Sequence, residues 1–139
     1  GSGAQDRDET VFGHKPFYVL ADYLTKKGIA VLRFDDRGVG ASEGNHAAAT
    51  SEDFATDVSA AVDFLKTKNH IAQSKIGLIG HSEGGIIAPL VHTQRSDIAF
   101  MVLLAGTGVR GDILLLEQQR LIGAASGLVI ESIEERSAP

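Results

Sequence analysis

Ile76-Gly77-Leu78-Ile79-Gly80-His81-Ser82-Glu83-Gly84-Gly85-Ile86-Ile87-Ala88 is the stretch that decides how this chain is read. Its opening residues form a short apolar run suited to one buried strand, and Gly85-Ile86-Ile87-Ala88 opens a helix that continues through Val91. Between them stands Gly80-His81-Ser82-Glu83-Gly84, a G-x-S-x-G pentapeptide. The pattern is short enough to arise by chance; it gains meaning from its strand–turn–helix setting. A turn this sharp holds the serine in a strained conformation and lifts its hydroxyl clear of the sheet. Side chains at Gly80 and Gly84 are expected to collide across the turn. Ser82 is therefore a candidate nucleophile at a helix N-terminus, where free N–H groups and the dipole favour developing negative charge. The plain alternative is a tight turn with a capping serine.

Outward from this turn, strand-like and helix-like segments alternate. Pro16 suits the first turn of a helix, Phe17, Leu20, Ala21 and Leu24 keep helical spacing, and Gly28 suits a C-terminal cap. Residues 29–34 read as a strand buried on both faces, and 98–105 as another beyond 76–80. Thr50 with Asp53 resembles a capping box, after which Phe54, Val58, Ala61, Val62 and Leu65 mark one helix face. The expected fold is α/β: three layers, with a mainly parallel sheet flanked by helices. Its chemistry belongs at the carboxyl ends of the strands.

Composition narrows the function classes. The 139 residues are 43% hydrophobic and 22% charged, as in a soluble globular domain, and the formal net charge is −5. No basic stripe exists to pair with nucleic acid or an anionic membrane, and Lys26-Lys27 suits a helix C-terminus. The absence of cysteine excludes disulfides, thiol catalysis and cysteine–metal sites, and no cofactor or metal is expected. No apolar run approaches a membrane span. The first residue is Gly1 with no methionine before it, so the lack of a visible signal peptide leaves the compartment open.

Four features together resemble the α/β-hydrolase superfamily, in particular bacterial serine carboxylesterases. Gly1-Ser2-Gly3 followed by Asp6-Arg7-Asp8-Glu9 is similar to their oxyanion loop. Asp35-x-Arg37-Gly38-x-Gly40-x-Ser42 matches the turn after the fourth strand of that fold. His81-Ser82-Glu83-Gly84-Gly85 is the nucleophile elbow, and Ala88-Pro89 in the next helix also fits. The resemblance implies that Ser82 attacks an acyl carbonyl. It also implies that backbone N–H groups of Glu83 and of the Ser2-Gly3-Ala4 loop hold the oxyanion.

A serine hydroxyl needs a base and an orienting acid. The resemblance places both after the serine, yet the only downstream histidine is His92. Ten residues along one helix is about 15 Å, too far to reach the hydroxyl. His14, His46 and His70 read as solvated surface residues, and His81 should point away from its neighbour. The family's third strand would precede Gly1 and lie between 29–34 and 76–80. The polypeptide is accordingly expected to be an inactive fragment, covering a hydrolase core over 1–109 and the start of a helical cap over 110–139. Alternatively, its strands pair abnormally or by exchange with a second copy. The expected partner is a small ester or other acyl substrate.

Two other classes compete. Gly106-Thr107-Gly108-Val109-Arg110-Gly111 is a G-x-G-x-x-G between a strand and a helix, and Leu128-Val129-Ile130-Glu131 would supply the next strand and ribose-binding acid of a dinucleotide fold. Asp112 in the first helical turn would repel a pyrophosphate, which counts against it. A non-catalytic hydrolase-like scaffold is the third reading, opposed by the strain of the serine turn. Acyltransfer and peptide hydrolysis share the same elbow.

Overall fold

The computed structural model describes residues 3–127. Helix α1 spans Pro16–Lys26, α2 spans Ser51–Lys66, and a 3-10 turn covers Gln73–Lys75. Strand β1 (Leu78–His81) leads through α3 (Gly84–Gln94) to β2 (Met101–Leu104), and α4 covers Gly111–Ala125. Two compact units divide between Gly106 and Thr107. In the second, α4 runs four residues past Leu121, and its exposed face carries the Glu117–Arg120 ion pair at 2.7 Å. The cap expected over 110–139 and the strand at Leu128-Val129-Ile130-Glu131 lie partly or wholly outside the described residues.

In the first unit, local chemistry sets the helix ends. Pro16 occupies the first turn of α1, and Gly28 at φ +82° closes it. The Gly28 N–H donates to the Thr25 carbonyl and the Ile29 N–H to Leu24, the paired bonds of a Schellman cap. At the start of α2 the Thr50 hydroxyl accepts from the Asp53 N–H, and the Asp53 carboxylate accepts from the Thr50 N–H at 2.8 Å. Such a reciprocal cap contributes about 1 kcal/mol.

β1 and β2 run parallel, with Leu78 opposite Met101 and His81 opposite Leu104. Bonds from Ala99 N–H to Ile76 and from Ser82 N–H to Leu104 extend the ladder past both ends of β1. Ala55 and Val62 of α2, Val91 of α3, Ile76 and Ile98 form the buried core beneath this pair. An ion-pair network closes its far end: Arg95 bonds Asp63 of α2 at 2.7 Å and Asp97 at 2.8 Å, and Lys66 also pairs with Asp97. Bonds from Arg95 and then Lys66 hold the Asp97 carboxyl well below the usual carboxylate range.

Residues 29–34 correct the expectation of a third strand buried on both faces. They join no ladder among the described residues, and Ile29 is 50% exposed, Leu32 36% and Phe34 38%. Hydrophobic composition favours burial, but a strand forms only where a neighbour accepts its backbone bonds. An apolar cleft of about 690 Å³ is lined by this segment and by β1, together with Leu20, Leu24 and Val62.

Candidate active site

Ser82 sits between the last residue of β1 and the start of α3, with φ +54°. A non-glycine residue in this left-handed region is strained, at about 1–3 kcal/mol. The turn is nevertheless held firmly. The Ser82 N–H donates to the Leu104 carbonyl at 2.9 Å, and the Ser82 carbonyl accepts from the Gly85 N–H at 2.9 Å. Both backbone groups of the serine are thus engaged. No hydrogen bond to its hydroxyl exists among the described residues.

The turn's glycines differ from the sequence expectation in an instructive way. A Cβ on Gly80 would stand 2.0 Å from the Gly84 carbonyl oxygen and 2.4 Å from its carbon, so that position admits no side chain. At Gly84 a Cβ would meet nothing within 4 Å, so the expected collision there is absent. The wall is Gly84's backbone, and the clash runs one way. Gly85, which the sequence offered only as part of the elbow motif, is the second tight site: a Cβ there would lie 2.5 Å from the Cα of Gly106. Close approach of α3 to the end of β2 thus gives Gly106 a packing role, independent of any dinucleotide.

Glu83 forms the N-cap of α3, and its carbonyl accepts from Ile86 and Ile87. The N–H groups of Glu83 and Gly84 have no acceptor among the described residues, as at any uncapped helix start. The Glu83 carboxylate accepts from the Ser51 hydroxyl at 2.9 Å, which fixes the turn to the first residue of α2.

The loop with Gly3 is tied down from several sides; Ser2 lies outside the described residues. The Gln5 N–H donates to the Asp36 carboxylate at 3.0 Å, and the Asp36 N–H returns a bond to the Gln5 carbonyl at 3.1 Å. Arg7 then clamps Asp35 with its N–H, Nε and Nη2 at 2.8, 2.9 and 2.7 Å. The Ala41 N–H completes the four acceptor positions of this buried carboxylate at 3.0 Å. Gly40 is required because a Cβ there would lie 2.6 Å from Asp35 Oδ2. The neighbouring Arg37 grips Asp57 of α2 through two bonds at 2.8 and 2.7 Å. The two motifs read separately in the sequence, around Arg7 and Asp35, are one hydrogen-bonded unit.

Bonds from the Arg7 guanidinium first, then from the Ala41 and Arg7 N–H groups, hold the Asp35 carboxyl far below its ordinary range. A depressed folded-state pKa means stability that is present above the unfolded value and lost as pH falls toward the folded one. Asp35→Asn is expected to lower the urea midpoint at pH 7, and the gap from wild type should narrow once the pH drops below about 4. Urea titrations of both proteins from pH 7 down to pH 3 check this; a gap independent of pH would show that the carboxylate's charge contributes nothing.

The histidines each have a place. His14 pairs with Val11 in a short bridge, the His46 ring lies 5.1 Å from Phe54, and His70 and His92 are exposed. His81 is bonded to Glu9. None is bonded to Ser82 among the described residues, where no metal-binding cluster and no helix long and apolar enough to cross a membrane occurs either.

Comparison with known proteins identifies the family. Esterase EstD of Thermotoga maritima is 31% identical over 105 residues, covering 76% of this chain. The chain spans about a quarter (25%) of that relative's length. Residues 15–134 match the family described as serine aminopeptidase, S33. Through that match, which includes the whole strand–turn–helix unit around Ser82, the chain belongs to the S33 serine aminopeptidase family of α/β-hydrolases.

Proposed function

We propose that the protein is a serine hydrolase that cleaves carboxylic esters through an acyl-enzyme on Ser82. The carrying observation is the serine's φ of +54° at the end of a parallel strand, next to two helix-start N–H groups that have no acceptor among the described residues. The Ser82 oxygen attacks the carbonyl carbon and its proton passes to a base; the bond to the alcohol breaks and the alcohol leaves with that proton. Water then attacks the acyl-enzyme, releases the acid and restores the hydroxyl. The N–H of Glu83 and one from the Gly3 loop stabilise the oxyanion in both halves. The base and its acid are assigned to parts of the protein outside these 139 residues, in keeping with the greater length of the esterase relative. The relative's name favours esters, whereas the family description favours amide bonds. Paired assays on p-nitrophenyl esters and aminoacyl p-nitroanilides separate the two.

The direct test is covalent. A fluorophosphonate reagent, from which an activated serine displaces fluoride, is expected to add one phosphonyl group to the full-length protein. Peptide mass spectrometry should place it on Ser82. Stoichiometric labelling at another residue overturns the assignment.

A further inference from the structure

We infer that Glu9 and His81 form a clasp that sets the Gly3 loop against the nucleophile turn, which makes Glu9 a positioning residue for the hydrolysis proposed above, on which this inference rests. His81 is the last residue of β1 and immediately precedes Ser82. Its Nδ1 lies 3.2 and 3.1 Å from the two carboxylate oxygens of Glu9. An ionised carboxylate only accepts, so Nδ1 carries the proton and donates it. The Phe17 ring, its centroid 5.8 Å from that of His81, supports the imidazole from α1.

Glu9 is built for this reach. Its φ of +49° turns the backbone into the left-handed region, which a glutamate enters less readily than a glycine. The loop enforces that turn: the Glu9 N–H donates to the Asp6 carbonyl at 2.9 Å, and the Asp6 carboxylate accepts from the Asp8 and Thr10 N–H groups at 2.9 and 3.1 Å. The result is a largely buried side chain, 17% exposed, aimed at the strand end. The bonds of Gln5 and Arg7 tie the same loop to the Asp35 turn. The Glu9–His81 bond ties it to the residue beside the nucleophile. Oxyanion donors act through placement, and an error of about 1 Å costs on the order of 100-fold in rate. The Glu9–His81 bond thus links the segment that follows Gly3 directly to the elbow.

The full-length protein tests this with Glu9→Ala, His81→Phe, the double variant and Ser82→Ala, assayed on one ester. For the variants that keep Ser82, kcat is expressed per site titrated with fluorophosphonate, so that unfolded molecules do not count; Ser82→Ala, which has no site to titrate, is compared per mole of folded protein. Glu9→Ala and His81→Phe are each expected to lose about 10–100-fold in kcat with KM changed by less than about threefold, because the oxyanion is absent from the bound ester and develops only as the carbonyl is attacked. The double variant should lose no more than either single one. Glu9→Gln, which keeps an acceptor for the Nδ1 proton, should recover most of the loss. Should Glu9→Ala not fold, His81→Phe carries the same expectation, since it keeps a ring against Phe17 and removes only the donor. Single variants within about twofold of wild type, a change confined to KM, or losses that multiply in the double variant would each overturn the clasp. An active Ser82→Ala would remove the nucleophile and the clasp's purpose together. An inactive Ser82→Ala beside a fully active Glu9→Ala would sink the clasp alone.

Discussion

Ser82→Ala and Ser82→Gly are both expected to lose about 10⁴-fold or more in kcat/KM for ester hydrolysis by the full-length protein, yet to part company in stability. Activity requires the hydroxyl, which both variants lack. Stability depends on the backbone, which at φ +54° strains any residue carrying a Cβ. Alanine keeps that strain, so its melting temperature should stay near wild type. Glycine relieves about 1–3 kcal/mol of strain and costs about 0.5–1 kcal/mol in unfolded-chain entropy, for a net gain of about 1 kcal/mol. Thermal melts alongside ester kinetics check both halves. If Ser82→Ala keeps wild-type activity, the nucleophile assignment fails. If Ser82→Gly melts no higher than Ser82→Ala, the turn stores no strain at this residue. The two outcomes are independent, and together they separate a reactive serine from one that merely occupies a tight turn.

What could be read in the sequence divides along the range of the forces involved. The caps of α1 and α2 were legible because Pro16, Gly28, Thr50 and Asp53 act on backbone within a few residues. The elbow was legible because strand, turn and helix are contiguous around Ser82. Residues 29–34 show the opposite case. Their apolar run states a preference for burial, but whether a ladder forms depends on a neighbouring strand that their own sequence does not specify. The site's polar scaffold was also hidden. Arg7 and Asp35 belonged to two recognisable motifs, yet nothing in their spacing announced a three-bond clamp across 28 residues. Glu9 and His81 lie 72 residues apart and gave no signal, since a glutamate in a polar loop and a histidine beside a serine are each unremarkable alone. Long-range pairing of charged groups is the part of a site that a single sequence conceals most completely.

Gly80→Ala carries the largest expected loss of stability, and its contrast with Gly84→Ala tests how the elbow is built. Both are glycines of the same pentapeptide, and a pattern-based reading treats them alike. At Gly80 an added methyl would lie 2.0 Å from the Gly84 oxygen and 3.0 Å from the Gly85 N, all of it backbone. That backbone is itself pinned, because the Gly85 N–H is bonded to the Ser82 carbonyl and Gly85 lies against Gly106. No side-chain rotation relieves such a contact, so either β1 or the start of α3 must shift. A cost of about 4 kcal/mol or more follows, at the upper end for single substitutions. At Gly84 the methyl would enter open space at the first residue of α3, where alanine's helix preference keeps the change within about 0.5 kcal/mol. Urea unfolding of the two variants decides the matter. Equal losses would mean that glycine is needed at both positions for conformational reasons, and the one-sided collision described here would be wrong. A large loss confined to Gly80→Ala would place the constraint where β1 passes beneath the first turn of α3, which is also the contact that holds Ser82 at the strand end.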